Sequence, residues 1–113
     1  MVSIDTVRAL ALSFPETTEE PHFEKTSFRV NKKIFATYDD KKQRVCIKLS
    51  EIDQDVFCLV DKTIIFPVDN KWGKQGWTFV ELNMVHPDLF TDALTTSYCE
   101  VAPLKLAALV RPT

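Results

Sequence analysis

The chain has 113 residues, 45% of them hydrophobic and 27% charged, which suits one domain, residues 1–113, able to bury a modest core without staples. Its formal net charge is −2, and it contains no apolar run near the ~20 residues that span a bilayer. Cys46, Cys58 and Cys99 match neither a Cys-x-x-Cys nor a zinc-ribbon spacing, and Met1-Val2-Ser3-Ile4-Asp5 lacks the basic start of a secretory leader, so reduced thiols in a cytoplasmic protein are expected.

Residues 3–13 read as a helix. Ser3 is the N-cap, and Ile4, Val7, Leu10 and Ala11 fall on one face at helical spacing. Pro15 ends it, because a residue before proline avoids the α region. Residues 16–24 are acidic and read as a turn, with His22 and Phe23 following Pro21. Three strands come next as an antiparallel meander: Phe28 to Val30, Lys33 to Tyr38, and Val45 to Leu49. Asn31-Lys32 and Asp39-Asp40-Lys41-Lys42 supply its turns.

Ser50 opens a second helix whose early acids, Glu51, Asp53 and Asp55, suit the positive end of the helix dipole. Ile52, Val56 and Leu59 are its expected buried face. Thr63 to Phe66 reads as a short strand ended by Pro67, residues 68–75 as a basic loop, and Trp77 to Leu82 as another strand. His86-Pro87-Asp88 starts a long helix with Leu89, Phe90, Ala93, Leu94, Ser97 and Tyr98 inward. Pro103 breaks the pattern, and Leu104 to Val110 forms a terminal helix. This order predicts an α+β fold, an antiparallel sheet with helices packed on one face.

Charge is segregated along the chain. Residues 25–48 hold eight bases against two acids, whereas residues 1–24 hold five acids against one base and residues 49–61 hold four acids. Lysines and arginines on hairpins neutralise phosphates, so Arg29, Lys33, Arg44 and Lys48 are candidate nucleic-acid contacts. Alternation places Arg44 and Lys48 opposite Val45 and Ile47, facing outward. A second candidate is Lys71, Trp72 and Lys74, an aromatic between two cations beside Gly73 and Gly76, suited to stacking a base. The competing reading makes the hairpin cations ordinary solvated guards of a sheet and the tryptophans hydrophobic anchors. A sequence pI near 5.6 also falls short of a dedicated nucleic-acid domain.

Catalytic signatures are sparse. The chain has no Gly-x-Ser-x-Gly elbow and no phosphate-binding loop, and His22 and His86 lack metal-ligand spacing. His22, among Glu19, Glu20 and Glu24, is the acid–base candidate against a structural role, and Cys46 lies near Arg44 and Lys48. No catalytic residue, metal or cofactor is assigned.

Pro21-His22-Phe23, Ser27-Phe28-Arg29-Val30, Lys33-Ile34-Phe35-Ala36, Gly76-Trp77, His86-Pro87-Asp88, Ser97-Tyr98 and Val101-Ala102-Pro103 occur in an order that resembles the MmcQ/YjbR family of small bacterial proteins. The resemblance implies a frataxin-like sheet domain and DNA binding through a "double wing" of β-hairpins. The expected function is therefore a non-enzymatic binding protein that holds DNA without sequence preference and with marked salt sensitivity. The alternative is a protein-interaction or small-ligand domain working through the open sheet face, which Arg29, Thr37 and Lys48 would line.

Overall fold

Ser3 caps the first helix as its position predicts, its hydroxyl accepting from the Thr6 amide at 3.2 Å. The computed structural model describes residues 1–111. In chain order the elements are α1 (Ile4–Ser13), β1 (Thr17–His22), β2 (Lys25–Val30), β3 (Lys33–Asp39), β4 (Arg44–Lys48) and α2 (Glu51–Cys58). There follow β5 (Ile65–Pro67), α3 (Lys71–Lys74), β6 (Trp77–Glu81), α4 (Pro87–Val101) and α5 (Leu104–Val110). The strands form one six-stranded antiparallel sheet in the order β1-β2-β3-β4-β6-β5. The expected α+β class, with a helix layer against an antiparallel sheet, is what the chain adopts.

One face of the sheet is the core. Phe28, Val30, Ala36, Val45, Ile47, Ile65 and Val80 are fully buried in the core, where α4 packs on β3 and β4 and α2 against β5. Phe14, Phe35 and Tyr98 form an aromatic cluster there, with the Tyr98 ring 4.8 Å from Phe14 and 5.4 Å from Phe35. The Tyr98 hydroxyl donates to the Pro15 carbonyl at 2.7 Å, so this large ring is buried without an orphaned polar atom.

A bulge sets the register of the central strands. Phe28 pairs with Ala36 but Arg29 pairs with Ile34, so Phe35 is the extra residue. Its carbonyl, displaced from the ladder, accepts the Ser97 hydroxyl at 2.7 Å, and Ser97 Oγ in turn accepts from the Lys48 amide at 3.1 Å. Phe35 and Ala36 are both buried, while Ile34 and Thr37 remain for the opposite face.

Three expectations are corrected. The acidic segment 16–24 contains a strand, β1, at the sheet edge. Only one side of an edge strand pairs, so Pro21 and the exposed acids are tolerated there. Residues 68–75 contain a helical turn, α3, because Asn70 Oδ1 caps the Trp72 amide at 2.8 Å. In α2, Ser50 is the N-cap as expected, but the buried residues are Gln54, Phe57 and Cys58. Ile52 and Leu59 are each 77% exposed, so the expected apolar face points to solvent.

Candidate functional site

The face opposite α4 is built by strand alternation. Ser27, Thr37, Cys46, Phe79 and Phe66 are consecutive partners across β2, β3, β4, β6 and β5 and form one row. Beside it, Asp39, Arg44 and Glu81 form a charged row, and Lys48 pairs with Trp77. The open face therefore combines aromatic rings with paired charges.

A groove of about 470 Å³ crosses this face, lined by His22, Lys25, Ile34, Thr37, Cys46, Val68, Trp72, Trp77 and Phe79. The volume matches the ordinary range for a small-ligand site. One wall consists of Trp72, Trp77 and Phe79. Across from it, the β1–β2 hairpin presents His22 and the exposed Lys25. Phe23, at the hairpin tip, sits edge-on to the His22 ring at 4.9 Å and adopts a φ of 58, in the left-handed region that a bulky residue rarely enters.

Two glycines hold the aromatic wall in place. A Cβ on Gly73 would lie 1.9 Å from the Val68 carbonyl oxygen, and one on Gly76 would lie 1.8 Å from the Leu49 carbonyl oxygen. Gly76 also has a φ of 104, which L side chains avoid. This close approach lets Leu49 N–H donate to the Gly76 carbonyl at 3.0 Å, joining the end of β4 to the loop before β6. Gln54, buried on α2, completes the support. Its Nε2 donates to the Gly73 carbonyl at 2.9 Å and lies 3.2 Å from the Trp77 carbonyl and 3.1 Å from Thr78 Oγ1. Sequence reasoning missed Gln54, since a lone glutamine in an acidic helix carries no signal of burial.

The seven predicted contact residues do not form one basic patch. Arg44 reaches the open face, but its Nε is 2.6 Å from Glu81 Oε1 and its guanidinium lies over Phe79, 4.5 Å from the centroid. Arg29 reaches it too, donating to Ser27 Oγ at 2.9 Å and to the Pro21 carbonyl at 3.3 Å, with Glu20 at 4.0 Å. Lys48 bends back so that Nζ donates to the Leu49 carbonyl at 3.2 Å. Lys33 pairs with the core residue Val30 and so stands at the sheet's end on the helix side. Lys71, Trp72 and Lys74 are brought together on α3, with Lys71 Nζ 5.6 Å from the Trp72 ring centroid. Trp72 is 50% exposed and turns toward the groove, whereas Lys74 lines a neighbouring cleft with Lys71 and Asn70. Lys25, not singled out by spacing, is the ammonium that the fold delivers to the groove.

Cys46 lies on the groove floor, and burial pushes its thiol up to about 11, the nearby Lys25 and Arg44 charges only partly opposing the shift. The shift runs opposite to the lowered value that an activated thiolate requires. The His22 ring has no protein hydrogen-bond partner among the described residues and packs instead against Phe23 at the groove edge. His86 is the N-cap of α4, its Nδ1 accepting from the Asp88 amide at 3.1 Å. Among the described residues no group of three His, Cys, Asp or Glu is placed to hold a metal ion, and no helix is long and apolar enough to cross a membrane.

The model of the YjbR family matches residues 12–100, a span that takes in every strand and most of α4. The fold is similar to the crystal structure of the Deinococcus radiodurans protein DR2400, which has a DUF419 domain. The TM-score is 0.78 at 22% identity, over 89% of this chain and 79% of that one. None of the curated proteins matches in sequence.

Proposed function

The chain belongs to the YjbR family, and from that premise we propose that it is a non-enzymatic binding module whose working surface is the groove on the open sheet face. Its ligand is a single-stranded nucleic acid segment. The observation that carries this reading is the juxtaposition of three aromatic side chains, Trp72, Trp77 and Phe79, with the exposed Lys25 across one groove. An unpaired base offers a flat face to the rings, and its phosphates offer charge to Lys25 and, at the rim, to Lys71. A duplex buries its base faces and needs a run of unneutralised cations instead. Arg29 and Arg44 are already engaged by Glu20 and Glu81 and do not supply one. The non-enzymatic part of the proposal draws on Cys46, whose burial shifts its thiol away from the thiolate form.

A second reading, a small flat anion in the same groove, draws on its size, which suits one compact ligand. Fluorescence anisotropy with a labelled single strand and its duplex, at low and moderate salt, tests the first. The single strand is expected to bind saturably, more tightly than the duplex, and to weaken linearly on a log–log salt plot. No single-strand binding at low salt sinks the reading, and the search then moves to small aromatic anions.

A further inference from the structure

We propose that the solvent-facing side of α2 is a second docking surface, distinct from the groove, and that its occupant is a basic amphipathic helical segment of another protein. At roughly 100° per residue, Ile52, Val56 and Leu59 fall in one stripe. They are 77%, 56% and 77% exposed. The stripe lies directly opposite Gln54, Phe57 and Cys58, the residues the helix buries. An ordinary surface helix has one apolar face, whereas α2 has two, and the core covers only one of them. Val60, just past the helix end, is 61% exposed and extends the apolar surface.

Charge complementarity identifies the occupant. Glu51 and Asp55 flank the stripe on one side and Asp53 on the other, and none of the three forms an ion pair among the described residues. A second copy of the chain meeting this face through the same residues would bring six carboxylates together around one apolar seam. A helix with leucine-like residues on one face and lysine or arginine beside them satisfies both features. The surface also offers a socket. A cleft of about 410 Å³ between the end of α2 and the edge strand β5 is lined by Asp55, Cys58, Leu59, Lys62, Phe66 and Pro67 and gives apolar side chains of a docked segment room to insert beside Leu59.

The test titrates the isotopically labelled full chain with a designed Lys/Leu amphipathic helix of about 14 residues, and separately with its Glu/Leu counterpart, by amide chemical shift. The Lys/Leu peptide is expected to saturate, with shifts centred on residues 50–67, while the Glu/Leu peptide does not bind. The double variant Ile52→Ser/Leu59→Ser, at exposed positions, is expected to keep its thermal midpoint and lose about tenfold or more in affinity. Trp72→Ala is expected to leave this binding unchanged, which separates the surface from the groove. The proposal is overturned by shifts scattered over other acidic regions, by equal binding of both peptides or of neither, or by undiminished affinity in the double variant. It is equally overturned if sedimentation shows a dimer that the double variant dissociates, since the occupant would then be a second copy.

Discussion

Arg44 and Glu81 face each other across β4 and β6 with Nε and Oε1 2.6 Å apart, on the face where alternation alone would leave a free cation. Both side chains are largely buried, at 21% and 24% exposure, and the guanidinium rests on Phe79. Glu81→Gln keeps an acceptor for Arg44 but removes the neutralising charge. The variant is expected to bind a single strand severalfold more tightly at low salt, as one more cation becomes available to phosphate. It is also expected to lose about 1–2 kcal/mol of stability from the weakened charge-assisted bond. Paired anisotropy and denaturant titrations read both effects, and unchanged affinity would place the bound strand away from Arg44.

Trp72→Ala is expected to weaken single-strand binding by about 1–3 kcal/mol, the usual worth of one stacked base. Lys25→Ala acts differently. It removes one phosphate contact and flattens the log–log salt slope by about 1, with little change in relative affinity among sequences. Trp72 is half exposed and Lys25 exposed, so neither change should disturb the core. A Trp72→Ala protein that binds as tightly as the parent would remove the stacking model.

The limits of sequence reading follow from these positions. Hydrophobic period located α1, α4 and the central strands, because their apolar residues face one core. It failed for α2, where Ile52, Val56 and Leu59 keep helical spacing but face water, and Gln54 is buried through three polar contacts on other elements. It failed for β1, whose acidic, proline-containing sequence is compatible with a strand only at an edge. Alternation correctly put Arg44, Cys46 and Lys48 on one face. What happens to each head group there depends on cross-strand partners and a β3 bulge, which no local pattern reports.

Cys46 gives the fold a distinctive alkaline response. Its thiol is raised from an ordinary 9.0 to about 11 by burial. Below pH 9 folded and unfolded forms are both protonated, and the stabilisation associated with the shift is fully present. Between 9 and about 11 the unfolded thiol ionises while the folded one does not, so stability falls, by on the order of 2 kcal/mol for this group. Cys46→Ala is expected to shallow the decline measured by urea titration across that range, the other raised thiols and tyrosines supplying the remainder. Alkylation of Cys46 in the folded chain at pH 8 is expected to run about a hundredfold slower than for an exposed cysteine. Rapid modification at that pH would show the groove floor to be far more open.

Gln54 links the helix that carries the apolar ridge to the wall of the groove. Its amide nitrogen contacts the Gly73 carbonyl beside Trp72, the Trp77 carbonyl and the Thr78 hydroxyl, all inside the protein. Gln54→Leu preserves volume and removes this donor, while the Gly73 carbonyl still accepts from the Gly76 amide and the Trp77 carbonyl from the Val68 amide, each at 3.0 Å, and Thr78 Oγ1 still donates to the Gly76 carbonyl at 3.0 Å. The cost is expected at about 0.5–1.5 kcal/mol, the net worth of an ordinary buried hydrogen bond, since each acceptor keeps another partner. The position of α3 should loosen with it, so single-strand affinity falls even under conditions where the variant remains fully folded. Gln54→Glu is the sharper comparison. At neutral pH its carboxylate would meet carbonyl oxygens and should destabilise more than leucine does, whereas at low pH protonation gives it one hydroxyl donor and recovers part of the loss. A Gln54→Leu protein with parental stability and affinity would mean that Gly73, Gly76 and the α3 cap position Trp72 without help from α2.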